Sequence, residues 1–399
     1  MRVAAALLAS SALGALAQAD HPLTLGDALQ AAWSRSLEAA RVSGRQQQAR
    51  AEQLVADSWL PQAPAFEASQ REGRSAAEPG KRESEVGVAL PIWRPGQRDA
   101  SQRTAQAGLD GAQAAELAAR LQLSGELREL AAAVRAATAE LRQAELEQQL
   151  YAQLATDVER RVRAGDLARA DALAARAELL AAQARQQDSR LRLQGWQARW
   201  QLVTGWIQLA VPESPLPSDA SGLDTHPQLR LAELEHERSR LRVTQVQAQS
   251  VAAPELRFSL REEQPAQDPG RRHSVAVGVR LPFGTATYHQ PQLAAALAEQ
   301  ELAEVQLQRT RRQLESDLAL ARSGLQVADE QAHAARERAT LLRQRADLIK
   351  RAFDAGESSL PELLRTLDAA AQAQAAAARQ QATLERAQSQ LRQALGRLP

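Results

Sequence analysis

Residues 85–93 read Glu85-Val86-Gly87-Val88-Ala89-Leu90-Pro91-Ile92-Trp93, and residues 275–283 read Val275-Ala276-Val277-Gly278-Val279-Arg280-Leu281-Pro282-Phe283. Both alternate apolar and other residues with a period of two, which predicts β-strands over Glu85–Trp93 and His273–Phe283. Leu256, Phe258 and Leu260 alternate with Arg257, Ser259 and Arg261 in a third strand, and Pro64 to Arg71 reads as a fourth with Phe66 as its clear apolar residue. Alternation over about ten residues, apolar toward lipid and polar toward a lumen, is the pattern of a transmembrane β-strand. The segments between these strands, Glu72–Lys81 and Glu262–Arg272, are polar and rich in Gly, Pro and charge.

The two quoted stretches are copies. Val86-Gly87-Val88-Ala89-Leu90-Pro91 matches Val277-Gly278-Val279-Arg280-Leu281-Pro282 at an offset of 191 residues. Ala164-Gly165 matches Ala355-Gly356, Leu173 matches Leu364 and Gly205 matches Gly396 at the same offset. Shared spacing of separated landmarks marks an internal repeat. The reading is a first repeat over 20–205, a Pro/Ser-rich connector over 206–223 and a second repeat over 224–399.

Between the strands and the Gly landmarks lie long tracts without proline, from Pro95 to Pro212 and from Pro291 to Pro361. Proline breaks helix interiors at about 3 kcal/mol, so these tracts are free to be long helices. Leu123, Leu130, Ala137 and Ala144 recur every seventh residue, with Leu127, Val134 and Leu141 beside them. Leu307, Leu314, Leu318 and Leu325 repeat the pattern in the second half. Such spacing marks coiled-coil packing. A helix from Pro95 to Arg163 would be on the order of 100 Å long. Gly165 with Asp166, and Gly356 with Glu357-Ser358-Ser359, interrupt it as tight helix–helix turns. Each repeat thus reads helix, strand, strand, long helix, turn, helix. The fold class is mainly α with a small β part.

Composition agrees and excludes. The chain of 399 residues holds 49 Lys+Arg against 48 Asp+Glu, a net charge of +1, which lacks the basic surplus of a nucleic-acid partner. It has no Cys, which excludes disulfides, thiolate metal sites, a Cys nucleophile and a lipidated Cys. Aromatics are only 3%, fitting long helices with narrow seams over an aromatic-rich globular core. At the N-terminus, Met1-Arg2, the apolar run Val3–Leu16 and Ala17-Gln18-Ala19 read as an export signal over 1–19, cleaved before Asp20. With a mean hydropathy of −0.42 and no long apolar stretch beyond it, a helical membrane span is not expected.

Four strands cannot close a membrane barrel, and an open edge in lipid leaves backbone groups unpaired. Cyclic symmetry supplies closure, and three chains give a shared twelve-stranded β-barrel with the helices gathered into an α-helical barrel.

On these features the sequence resembles the TolC family of trimeric outer-membrane efflux channels. The resemblance rests on Leu23-Thr24-Leu25-Gly26-Asp27-Ala28-Leu29, the two strands ending in Leu-Pro, and the duplicated Ala-Gly turns, each followed by a helix near Ala170-Asp171 or Leu360-Pro361-Glu362. His226-Pro227-Gln228-Leu229 and Leu281-Pro282-Phe283-Gly284 resemble the heavy-metal-resistance branch. The resemblance implies a passive homotrimeric channel in the outer membrane of a Gram-negative bacterium, its helices in the periplasm. It also implies a periplasmic adaptor protein and an inner-membrane pump of the RND type as partners, and heavy-metal cations as cargo. Drug efflux or type I protein secretion stands as the alternative. A periplasmic coiled-coil adaptor and a purely structural coiled coil are rivals. They account less well for two complete helix–strand repeats.

No catalytic constellation is present, so neither an enzyme nor a cofactor is expected. His236-Glu237 lacks a second His, and Gly80-Lys81 lacks the spacing of a phosphate loop. The six His are scattered and read as surface residues, and Met1 is the one Met, so no metal site is assigned. The resemblance implies that Ala164-Gly165-Asp166 and Ala355-Gly356-Glu357 are adaptor-docking turns; plain hairpin turns are the alternative. It also implies a periplasmic gate of acidic side chains beyond the second Gly. Glu362 fits, Arg365 departs from an all-acidic pattern, and Asp171 is the matching acid of the first repeat. Glu362 and Arg365, three apart, share a helix face, which leaves two closures open: ion pairs between subunits or an acidic ring. All three on a solvated helix face is the competing reading. If the apolar strand residues meet lipid, Arg257, Arg261 and Arg280 face the lumen. Trp59 and Trp93 are placed at the bilayer interface. Trp196 and Trp200, four apart, read as helix core.

Overall fold

A computed structural model describes residues 22–73, 81–214, 222–265, 270–283 and 286–399. The export signal over 1–19, most of the Glu72–Lys81 loop, part of the Glu262–Arg272 loop, the end of the connector and Gly284 lie outside the described residues. The element order is α1 (Leu25–Trp33), α2 (Leu37–Asp57), β1 (Ala65–Glu72), β2 (Arg82–Pro91), α3 (Gln97–Ala164), α4 (Arg169–Thr204), α5 (Pro227–Ala248), β3 (Glu255–Gln264), β4 (Arg272–Arg280), α6 (Ala286–Asp354) and α7 (Leu360–Ala394).

The offset of 191 relates α3, α4 and β2 to α6, α7 and β4, and their boundaries agree to within a few residues. There are three departures from the sequence reading. The first half opens with two helices because the chain breaks at Ser34–Ser36, where the Ser34 and Ser36 hydroxyls bond back to the Ala31 and Trp33 carbonyls. In the second half, α6 starts five residues ahead of Pro291 and carries it inside. So close to the start, the missing N–H forfeits a single bond of a 69-residue helix. Finally, β4 stops at Arg280, leaving Leu281 and Phe283 beyond the strand, whereas β2 runs through Pro91, the counterpart of Pro282.

The described chain forms two compact units, each drawing on both halves of the sequence. One comprises residues 22–36, 120–214 and 317–399. Its core contains the predicted seam residues Leu127 and Val134, with Ala131, packed on Trp200 and on Leu25, Ala28 and Leu29 of α1. Trp200 is buried and donates its Nε1–H to the Gln208 carbonyl at 3.1 Å, and Trp196 packs beside it. The start of α1 is a capping box. The Asp27 N–H donates to Thr24 Oγ1 at 3.2 Å and the Thr24 N–H to the Asp27 carboxylate at 3.0 Å, and bonds from the Thr24 hydroxyl and N–H hold that carboxyl below its usual range. A second cluster joins Tyr151, Leu154 and Val158 of α3, Ala175 and Ala182 of α4, Phe353 of α6 and Leu360, Leu363 and Leu367 of α7.

The other unit comprises residues 37–119 and 222–316. It contains one antiparallel sheet of order β1-β2-β3-β4. Its helices α2 and α5 and the adjoining parts of α3 and α6 include the small apolar cluster of Val243, Val246 and Ala296. No described helix is long and apolar enough to cross a membrane.

Candidate functional site

Register decides what the sheet presents. Phe66, Val88, Phe258 and Val277 form one cross-strand row; Ala68, Val86, Leu260 and Val275 form the next; Leu90, Leu256 and Val279 form a third. Because side chains alternate, all three rows share a face. Most of these residues are exposed, an arrangement that water disfavours. The opposite face is polar and internally paired. Arg257 meets Glu67 at 3.3 Å, Arg261 meets Glu85 at 2.9 Å, and Arg280 meets Glu255 at 3.4 Å. The three arginines expected on the polar side are thus together on it. Of the duplicated strand glycines, only Gly87 is required by close approach. A Cβ there would lie 2.9 Å from the Phe258 carbonyl oxygen and 3.0 Å from Ser259 Cβ, whereas at Gly278 it meets nothing nearer than 4.0 Å.

The two helix turns are built alike. Gly165 has φ +87° and Gly356 φ +81°, left-handed values that a side chain resists. Beyond each, the next N–H reaches back five residues, Asp166 to the Arg161 carbonyl at 2.9 Å and Glu357 to the Ala352 carbonyl at 2.8 Å, ending the helix as a Schellman-type cap does. Ala164, Gly165, Asp166, Ala355, Gly356 and Glu357 are all exposed. Asp171 caps its own helix, accepting the Ala168 N–H at 3.2 Å. Glu362 and Arg365 are both exposed on α7; Glu362 accepts from the Ser358 hydroxyl at 3.1 Å, and Arg365 forms no ion pair among the described residues.

Sequence reading missed the residue that ties the ends of α3 and α6 together. Arg161 bonds to the Phe353 carbonyl at 3.2 Å and to Asp354 at 3.4 Å, and its guanidinium lies over the Phe353 ring at 4.9 Å. No periodicity marks it, since the matching position in the second repeat is Ala352. Nearby, the Tyr151 hydroxyl is buried without a hydrogen-bond partner. Burial, with the carboxylates of Glu147, Asp368 and Glu178, raises its pKa beyond the usual tyrosine range. Tyr151→Phe removes that orphaned group, so its chemical unfolding midpoint should match or exceed wild type; a loss of more than about 1 kcal/mol would show that the hydroxyl is satisfied.

His226 is not a surface residue. It is buried at the start of α5, where Nδ1 accepts the Gln228 N–H at 3.2 Å. Trp59 stands exposed, but the half-buried Trp93 donates its Nε1–H to the Ser58 carbonyl at 3.0 Å. Among the described residues, no group of three or more His, Asp or Glu is placed to hold a metal ion.

Residues 220–397 match the family model described as outer membrane efflux protein. No curated protein matches the chain. Among solved structures, the outer membrane protein VceC of Vibrio cholerae is 17% identical, with 93% of this chain and 96% of that one covered at a TM-score of 0.75. The CmeC outer membrane channel of Campylobacter jejuni is 14% identical, covering 99% and 93% at a TM-score of 0.73. CusC, whose transmembrane channel formation has been described, is 15% identical, covering 94% and 92% at a TM-score of 0.74. At such identities these likenesses speak for the fold. Together with the family match over residues 220–397, they show a chain with the fold of these channels whose second repeat is similar to the outer membrane efflux protein family.

Proposed function

We propose that three copies of this chain form an outer-membrane channel that passively conducts cargo delivered by a periplasmic adaptor and an inner-membrane pump. The observation that carries the proposal is the sheet. Its apolar rows are exposed, and among the described residues neither β1 nor β4 has a strand on its outer edge. Pairing β1 of one copy with β4 of the next removes both edges, turns the apolar rows to lipid and leaves Arg257, Arg261 and Arg280 lining a wet lumen. A second unpartnered surface supports a packed assembly. Leu320, Val327, Leu341 and Leu348 of α6 lie at multiples of seven residues and are exposed, a coiled-coil seam awaiting another helix. Cross-linking of the detergent-solubilised protein should stop at three subunits; a monomer stable in the membrane would end this reading.

In this proposal the exposed turns at Gly165 and Gly356 dock the adaptor, and Asp171, Glu362 and Arg365 form the periplasmic gate. The cargo proposed is heavy-metal cations, with drug or protein export as the alternative that an export assay distinguishes. Threefold symmetry would crowd these side chains where water is partly excluded and charges act more strongly. If ion pairs between subunits hold the gate, Glu362→Ala and Arg365→Ala should each raise single-channel conductance in planar bilayers. A response to Glu362→Ala alone would point to an acidic ring, and wild-type conductance in both would place the constriction elsewhere.

A further inference from the structure

A cavity of about 220 Å³ lies among α3, α7 and the connector segment after Gly205, within the unit that lacks the sheet. Three guanidiniums (Arg128, Arg135 and Arg392) and two carboxylates (Glu213 and Glu385) line it, leaving one cation in excess. Arg128 is matched by Glu213 at 2.8 Å and Arg135 by Glu385 at 3.3 Å. Arg392 is the cation left over. It is 7% exposed, it forms no ion pair among the described residues, and its one hydrogen bond there goes from a terminal nitrogen to the Ser214 carbonyl. Nε and the other terminal nitrogen of its fork have no protein acceptor there.

Burying a guanidinium without a counter-charge is costly, and neutralisation is not open to arginine near neutral pH. Burial lowers the hold of Arg392 on its proton; the field of Glu213 acts against this and that of Arg128 adds to it. Around the cavity, the Gln381 and Gln388 amides add neutral donors, while the Ser389 hydroxyl already donates to the Glu385 carbonyl at 3.0 Å.

We propose that this cavity binds one small oxyanion, a single phosphate-type group held by the free fork of Arg392 with Arg135 at its side. The volume suits one such group with a few waters and excludes a nucleotide. Planar forks carrying parallel N–H donors match oxyanion geometry. Bound there, the anion would join α7 to the connector through Arg392, whose other arm already reaches Ser214. The proposal does not depend on the channel reading.

The test uses the full-length protein in detergent, titrated with inorganic phosphate at constant ionic strength set by sodium chloride. The expected result is a saturable rise in the unfolding midpoint, with one phosphate taken up per chain by calorimetry. Arg392→Gln should weaken binding about tenfold or more, and Arg392→Lys, which keeps the charge and loses the fork, should weaken it less. Glycerol 3-phosphate in place of phosphate identifies the source. Tighter binding of the ester points to a lipid-derived head group, and tighter binding of phosphate to the free ion; either supports the site. If chloride at equal ionic strength gives the same midpoint, or if a folded Arg392→Lys or Arg392→Gln protein binds phosphate as wild type does, the proposal is overturned. Calorimetry on the wild-type protein decides the matter even if Arg392→Gln fails to fold, because absence of uptake there is also fatal.

Discussion

Arg128→Ala is expected to destabilise the protein by about 3–5 kcal/mol, the usual cost of breaking a buried ion pair from one side. Arg128 is 2% exposed and spends all five of its N–H donors. Nε and one terminal nitrogen grip the Glu213 carboxylate at 2.9 and 2.8 Å. That same terminal nitrogen also reaches the Arg397 carbonyl at 2.9 Å, and the other reaches Gln393 at 3.0 Å and Ser124 at 3.3 Å. One side chain of α3 therefore holds the connector at Glu213 and the end of the chain at Gln393 and Arg397. Removing it leaves Glu213 with an uncompensated charge in a mostly buried position. Glu213→Gln should cost less, since it keeps the shape and leaves an amide to bond. The pair is read by chemical denaturation of the detergent-solubilised protein. A loss below about 1 kcal/mol for Arg128→Ala would mean that water replaces the lost bonds and that the cluster is ornamental to stability.

The second large effect separates two neighbouring residues. Phe258→Arg should prevent stable assembly in the outer membrane, while Ser259→Arg should leave it largely intact. Phe258 stands in the apolar row with Phe66, Val88 and Val277; Ser259 stands beside Glu67, Gly87 and Ala276 on the polar face. A cation on the lipid-facing surface of a membrane β-strand costs about 2–4 kcal/mol near the bilayer midplane, and threefold symmetry would repeat that cost in each subunit. On the polar face, Ser259 lies next to a glycine and near the ion pairs of Arg257 and Arg261, where another charged side chain finds water and Glu85. The measurement is the amount of heat-sensitive oligomer in the outer-membrane fraction. Equal levels for both variants would show that the apolar rows do not face lipid.

The elements that sequence alone placed are those governed by local rules. Period-two alternation located β2, β3 and β4, because each residue's side follows from the pleat without reference to any neighbour, while β1, with Phe66 as its one clear apolar residue, showed it weakly. Proline-free tracts and heptad spacing located α3 and α6, and the two glycines located the turns, where both adopt the positive φ that a helix end of this kind uses. The turn residues, and the residues proposed for the gate, were likewise nameable from spacing and resemblance. That Asp171 is already engaged in capping α4, while Glu362 and Arg365 stand apart on the surface of α7, could be read only from coordinates.

What tertiary structure decided is contact between residues far apart in sequence. The register that stacks Phe66, Val88, Phe258 and Val277 into one row depends on pairing strands from opposite halves of the chain. Arg128 and Glu213 are 85 residues apart, Arg161 and Asp354 are 193 apart, and neither pair belongs to any repeat or period. His226 looked like an ordinary surface histidine because nothing in its neighbours reports burial, yet it closes the start of α5. The physical reason is the same in each case. Backbone geometry imposes periods that a sequence displays openly, whereas the partner of a buried charge or a capping ring is chosen by where the folded chain brings its segments together, and no spacing rule encodes that choice.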